Sequence, residues 1–387
     1  MTTVLIAPDK FKGTLTAAQV CAAVGDGLHR RLPNLEILAV PVADGGDGTI
    51  AAALAAGFTS VPVVAAGPTG DPVQTAYARK DETAVVELAD VSGLVRLPGG
   101  VLHPGTASSH GTGEVIAAAI DAGCTHIVLG IGGSASTDGG AGMVQALGAR
   151  LLDAEGSDLG GGGARLASLA TVELGSLRDR MRGVQVTVAC DVDNPLTGPR
   201  GAAAVYGPQK GATERDIPVL DAALTHFADC VSAATGSDLR DTPGAGAAGG
   251  VGYAAVALLG AQLRPGIDLV FDLVGFHEQL KRADFVITGE GSLDEQTLHG
   301  KAPAGVADAA RRAGLTVVAV CGRNALTSQQ ISESGIAAAY ALTDIEPDVE
   351  KCMTQGEDLL ARLGELIAAE HLVRITHDPH PTEAGHL

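Results

Sequence analysis

Lysine is scarce in this chain, seven residues of 387, and four of the seven sit in glycine-rich loops: Lys10 and Lys12 in PDKFKGT, Lys210 in GPQKGAT and Lys301 in LHGKAP. Backbone N–H groups beside a point charge are what phosphate oxygens need, so these loops are candidate anion sites; lysines placed for solubility are the plainer alternative. Two copies of an acid–glycine motif accompany them, Asp44-Gly45-Gly46-Asp47-Gly48 and Asp138-Gly139-Gly140-Ala141-Gly142, each ahead of a helical run. An Asp at a helix N-cap accounts for part of each motif. It does not account for so many glycines, which mark backbone that approaches a ligand closely or turns through positive φ. A third cluster, Thr288-Gly289-Glu290-Gly291-Ser292-Leu293-Asp294, directly follows a strand pattern, where doubly wound sheets place their ligands.

The segment Cys190-Asp191-Val192-Asp193-Asn194-Pro195 ends the strand pattern VQVTVA. Carboxylates at a strand's C-terminal end, on a loop stiffened by Asn-Pro, fit a general base or a Mg²⁺ ligand, and an Asx-turn is the structural alternative for Asp191 and Asp193. Several mechanisms lack their motifs: there is no G-x-x-x-x-G-K-[ST], no G-x-S-x-G and no kinase HRD or DFG. Gly244 to Gly249 matches G-x-G-x-x-G but follows Asp241-Thr242-Pro243 rather than a strand. Gly130-Ile131-Gly132-Gly133-Ser134-Ala135 does follow a strand pattern, HIVLGI, with Asp153 about 20 residues on, as a dinucleotide site requires. An oxidoreductase acting on a small hydroxy acid therefore stays open beside a kinase, as does a non-catalytic binder of a small acid.

The elements that must carry these loops alternate. Apolar runs of strand length lie at 4–7, 35–42, 127–131, 184–189, 285–288 and 317–320, and helical patterns at 17–32, 113–122, 216–234, 303–313 and 357–369. Continuous apolar strands separated by helices give an α/β class with parallel sheet. Residues 61–87 depart from that rhythm, reading as three short strands (VPVVAA, VQTAYAR, TAVVEL) joined by the turn signals GPTGDP and KDE, which is antiparallel structure. Strands starting at Val4, Leu35, Phe285, Val317 and Ala337 make a five-stranded doubly wound sheet, with the intervening chain inserted between its second and third strands. The expected division is 1–60 with 285–370 as one discontinuous domain, 61–284 as an inserted α/β domain, and 371–387 as a polar, flexible tail.

Composition bounds the partners. The chain is 46% hydrophobic, enough for a large core, and 26 basic against 45 acidic residues leave a charge of −19 and a pI near 4.8. That balance excludes nucleic-acid and anionic-membrane binding as expectations, since both need a cationic surface. Six scattered cysteines without a C-x-x-C read as reduced thiols of a cytoplasmic protein. The start MTTVLIAPDK lacks a basic leader, and the longest apolar run, 251–263, is too short to span a bilayer.

Taken together and in this order, the loops resemble the glycerate kinase family, in its bacterial glycerate 2-kinase form. The matching stretches are IAPDKFKGTLTA at 6–17, PVADGGDGT at 41–49, GIGGSASTDGGAGMVQALGA at 130–149, ACDVDNPLTG at 189–198, YGPQKGAT at 206–213 and VITGEGSLDEQTLHGKAP at 286–303. Lys10, where many members have Ser, and VCGRNAL at 320–326 depart from the pattern. The resemblance implies phosphorylation of D-glycerate by ATP with Mg²⁺, at the 2-hydroxyl, by a flavodoxin-like domain carrying a restriction-enzyme-like insertion. It puts the base on Asp191; the loop residues themselves suggest Lys301 and Asp44 to complete the catalytic set and Asp193 as the Mg²⁺ ligand. The substrate- and nucleotide-binding set is Lys10, Lys12, Gly45, Gly46, Asp47, Gly132, Gly133, Ser134, Asp138, Gly139, Gly140, Lys210, Gly289, Glu290, Gly291 and Asp294. D-glycerate and ATP are the expected partners. Whether the chain forms a homodimer, and whether the 2- or the 3-hydroxyl reacts, the sequence leaves open.

Overall fold

The computed structural model describes residues 2–298 and 301–373. The strands among them are, in chain order, β1 (Thr3–Pro8), β2 (Glu36–Ala39), β3 (Thr59–Ala66), β4 (Pro72–Lys80), β5 (Thr83–Glu87), β6 (His126–Gly130), β7 (Arg150–Leu152), β8 (Thr171–Glu173), β9 (Gln185–Ala189), β10 (Gln262–Arg264), β11 (Phe285–Leu293), β12 (Thr316–Asn324) and β13 (Ala338–Ala341). The chain forms two compact units, residues 1–44 with 270–387 and residues 45–269.

The first unit is built on a five-stranded sheet of order β13-β12-β11-β1-β2 in which every pairing is parallel. β1 is an interior strand covered on both faces, which is why it is apolar from Val4 to Pro8 and all six of its residues are buried. Val4 and Ile6 pack into the core with helices Ala17–Arg31 and Gly356–Ile367. Leu5, pointing the other way, is equally buried, and helix Ala302–Arg312 contacts β1, β11 and β12. Helix Ala17–Arg31 starts at a capping box between Thr16 and Gln19, and it meets helix Gly356–Ile367 so closely that a Cβ at Gly27 would come within 1.9 Å of the Ala361 carbonyl oxygen.

The second unit carries a six-stranded sheet of order β10-β9-β6-β5-β4-β3. β3, β4 and β5 pair antiparallel, and β5, β6, β9 and β10 pair parallel. The switch of direction follows from the connections. A tight turn through Gly67 to Asp71 joins β3 to β4, whereas β5 reaches β6 only through helix His110–Asp121.

The units divide at 44/45 and 269/270 rather than at 60/61 and 284/285. Residues 45–60 read as part of the first domain because they follow β2 in sequence, yet the Ile50 N–H donates to Glu87 at the end of β5 and ties this segment to the second unit. Residues 270–284 go with the first unit, where Phe271 stacks on Phe276 at 4.0 Å ahead of β11. The apolar run 251–263 resolves into helix Ala247–Leu259 and β10. Of the expected tail, residues 374–387 lie outside the described residues; His371 is held by Tyr340 Oη at 2.7 Å and Leu372 is buried, so the packed chain extends past 370. All six cysteines are free thiols. No helix among the described residues is long and apolar enough to cross a membrane.

Candidate active site

In the second unit, Glu87, Gly130 and Ala189 are ladder neighbours at the C-terminal ends of β5, β6 and β9. Loops converge there at backbone distance. A Cβ on Gly130 would lie 2.7 Å from the Gly45 carbonyl oxygen, and a Cβ on Gly45 would lie 2.4 Å from Gly266 Cα and 2.7 Å from Ala189 Cβ. Gly45 itself has φ of 84°, so both its conformation and its surroundings require glycine. Asp191, two residues past β9, is exposed and accepts the Gly266 N–H at 2.9 Å. Asp193, expected as the metal ligand, has both its oxygens 3.0 Å from Arg200 Nη2 on the surface. Among the described residues no three His, Cys, Asp or Glu side chains group as a metal ion requires.

The long loop after β6 has two halves. Gly132 and Gly133 are exposed, whereas Ser134 through Gly140 are buried. Asp138 is fully buried and accepts from Ser109 N and Oγ at 2.8 Å, Gly140 N at 3.2 Å and Gly142 N at 3.3 Å, which makes it a hub of the backbone rather than a group turned to a ligand. Gly139 and Gly140 are close-packing positions as well, against Phe227 and against Val251 and Ala254. Lys210 is 1% exposed and donates to Ser134 Oγ at 2.7 Å and the Ser136 carbonyl at 2.5 Å. Burial pushes its pKa down to about 7, with Asp138 the charge that opposes this.

In the first unit the acids gather where the strand order reverses, at the C-terminal ends of β1 and β11. Asp9 follows β1, accepts the Lys10 N–H at 2.6 Å and lies 3.8 Å from Lys10 Nζ. Desolvation pushes its pKa up to about 7, opposed by Lys10 and reinforced by the charges of Asp44 and Glu290. Glu290, within β11, accepts from Thr297 Oγ1 at 2.5 Å; burial raises its pKa above the usual carboxylate value. Lys301 stands at the N-cap of helix Ala302–Arg312, 3.7 Å from Glu290 and 3.9 Å from Asp294. A lysine there opposes the helix dipole and needs an anion beside it, and the chain's own carboxylates supply two. Asp294 also caps the following turn through the Gln296 and Thr297 N–H groups. Gly289 is a packing position, since its Cβ would meet the Val320 carbonyl at 2.2 Å, whereas Gly291 is half-buried beside the Lys12 amide nitrogen. Lys12 and Asp47 are exposed, and Gly46 is half-buried.

The model of the glycerate kinase family matches residues 4–372 of this chain. The chain belongs to that family. It is 44% identical over 371 residues to a glycerate kinase of Halalkalibacterium halodurans, covering 95% of this chain and 98% of that one. It is 40% identical over 370 residues to the glycerate 2-kinase of Escherichia coli, covering 95% and 97%. A crystal structure of a Salmonella typhimurium protein assigned as glycerate kinase 2 superposes with a TM-score of 0.86 at 41% identity, over 97% of this chain and 99% of that one. As a member of the family the chain is an enzyme, a kinase whose acceptor is an alcohol group.

The dinucleotide reading of Gly130 to Ala135 fails on local geometry. No helix opens at those glycines, where a pyrophosphate would need one, and Asp153 is spent on a turn, accepting the Glu155 and Ser157 N–H groups. Two groups of this family member were not singled out from sequence, Asp9 and Glu87. Each is an acid terminating an apolar strand run, and that position was the available signal.

Glu87 is buried and holds the first turn of helix Thr49–Ala55 by accepting the Ile50 N–H at 2.5 Å. Burial pushes its pKa up to about 7 from 4.5. Between those values the folded state binds more protons than the unfolded, so this group makes stability fall as pH rises from about 4.5 to 7. Lys210 has the opposite sign: its folded pKa is depressed from 10.5 to about 7, the unfolded state binds more protons in that window, and stability rises with pH across it. Unfolding free energies from urea titrations are expected to fall between pH 5 and 7 in the native protein and to fall less in Glu87→Gln. Parallel profiles for the two proteins would remove Glu87 from this account.

Proposed function

We propose that this enzyme phosphorylates D-glycerate at its 2-hydroxyl with Mg-ATP as donor and Asp191 as proton acceptor. The observation that carries this reading is Asp191 itself: a carboxylate at the C-terminal end of β9, exposed and oriented by the Gly266 N–H. Phosphoryl transfer asks mainly for positioning and charge neutralisation, with one group to take the hydroxyl proton.

The residues fit the donor. Each unit by itself offers groups suited to phosphate oxygens: exposed Gly132 and Gly133, whose backbone a phosphate can approach, in the second, and Lys10, Lys12 and Lys301 in the first. Burial first, and the charge of Asp44 after it, raise the pKa values of Asp9 and Glu290, which a divalent cation would relieve, and oxygen donors are what Mg²⁺ takes. One or two of these carboxylates, together with phosphate oxygens of the nucleotide, would hold the metal, Asp193 being paired with Arg200. When bound, Mg-ATP supplies the phosphoryl group and neutralises its oxygens. Asp191 would take the proton of the substrate hydroxyl, and Lys301, poised between two carboxylates, would exchange one of them for an anion. The strand order of the first unit, 2-1-3-4-5 in its own numbering, supports reading it as flavodoxin-like, with the second unit as the restriction-enzyme-like insertion. A cytoplasmic location belongs to the same reading, supported by the free thiols.

The test is a coupled ADP-release assay over a panel of hydroxy acids, followed by phosphorus NMR of the product. D-Glycerate is expected to be the substrate. A phosphate on the 2-oxygen couples to one proton and gives a doublet; a triplet, from a phosphate on the terminal CH₂, would overturn the regiochemistry.

A further inference from the structure

We propose that Lys210 is a positioning residue of this kinase: its amine pins, from within the protein, the loop that presents Gly132 and Gly133, and it touches neither substrate. The case begins with what surrounds it. Lys210 ends the turn Pro208–Lys210 and is 1% exposed, so no ligand can reach it without displacing the loop. Its Nζ spans two residues of that loop, Ser134 through the hydroxyl and Ser136 through the carbonyl.

The loop is clamped from the other side by backbone. Gly133 O accepts the Leu94 N–H at 2.9 Å, and the Ala135 N–H donates to Ser92 O at 3.0 Å. Behind the amine lies a stretch fitted around it: Ala248, Gly249 and Gly250 are all left-handed, with φ of 53°, 69° and 95°. A Cβ at Gly249 would sit 2.8 Å from Lys210 Nζ and 2.1 Å from the Ser136 carbonyl oxygen. A left-handed alanine is strained, and such strain persists only where the surroundings impose it. Ala248 and Gly249 of this cradle end the G-x-G-x-x-G match, which serves a lysine here and not a nucleotide.

Apart from Asp138, the loop has few other side-chain ties. Ser136 Oγ and Thr137 Oγ1 are buried without hydrogen-bond partners, so of its three buried hydroxyls the one with a partner is Ser134's, and Lys210 provides it. Asp138 is the charged group facing Lys210, and its oxygens are engaged with Ser109, Gly140 and Gly142. A neutral amine still carries two N–H donors, so both bonds survive deprotonation near neutrality.

The inference rests on reading Gly132 and Gly133 as ligand-facing, and the test separates the two. Hydrogen exchange is measured on the ligand-free protein, so it reports on the strut whether or not glycerate is the substrate. In Lys210→Met, amides of 130–137 are expected to exchange at least tenfold faster than in the native protein, with those of 285–293 unchanged. In the ADP-release assay the same variant is expected to lose roughly 10- to 100-fold in kcat with KM for ATP within a few-fold. Lys210→Arg, too large for the cradle, is expected to fare no better, whereas a phosphate ligand would be rescued by it. Unchanged exchange in the ligand-free loop, or a loss confined to KM and rescued by arginine, would overturn the proposal. Should Lys210→Met not fold, Ser134→Ala removes one of the two bonds; it is expected to speed exchange several-fold, and native exchange there would refute the strut.

Discussion

Asp191→Asn is expected to lower kcat by roughly 10²–10⁴ while the protein folds and binds normally. Asparagine keeps the side-chain oxygen that accepts the Gly266 N–H, so that tie of the loop after β9 is kept while the group can no longer take a proton. The other roles for this carboxylate predict different numbers. If Asp191 serves only its bond to Gly266, asparagine does that job nearly as well and activity stays within a few-fold. If it ligates Mg²⁺, the defect appears as a raised metal requirement that excess Mg²⁺ partly restores. Turnover near the native rate at saturating Mg²⁺ and ATP would remove Asp191 as base and shift the assignment to Asp44.

Gly45→Ala is expected to damage both the fold and the chemistry. The left-handed backbone costs an L-residue about 1–2 kcal/mol. The new methyl would also lie 2.4 Å from Gly266 Cα, a backbone atom that cannot rotate away, and overpacking of this kind costs roughly another 1–3 kcal/mol. Gly266 is the residue whose N–H orients Asp191, so a shift there reaches the proposed base. A loss of about 2–5 kcal/mol in stability and of at least about 100-fold in kcat is expected. Gly70→Ala is the control. Its φ of 91° is similar, yet nothing lies within 4 Å of its Cβ position, so only the backbone cost should appear and activity should be native. Indistinguishable Tm and kcat for the two variants would show that the contact at Gly45 does not act as described.

The elements of this protein were legible in its sequence for a local reason. An apolar strand run such as Val4 to Ala7, or the spacing in Ala17 to Leu32, reports the burial of a segment's own side chains, and that pattern is written in consecutive residues. The antiparallel turn sequences of 61–87 and the five strands of the first unit were readable on the same ground. The loops too could be seen to be special, because so many glycines have no use on an ordinary surface. Which glycine does what could not be seen. Gly132 and Gly133 are open, while Gly45, Gly139, Gly140 and Gly289 are filled from behind by Gly266, Phe227, Ala254 and Val320, residues 31 to 221 positions away in the chain. The same holds for the charged groups. Lys210 and Asp138 read as ligand-facing because charged side chains normally seek water, and both are buried. Asp193 read as a metal ligand, and Arg200 lies on both its oxygens. Residue type and spacing declare what chemistry a loop could do; whether a group meets water, backbone or a counter-charge depends on what tertiary packing lays over it, and that is decided by contacts distant in sequence.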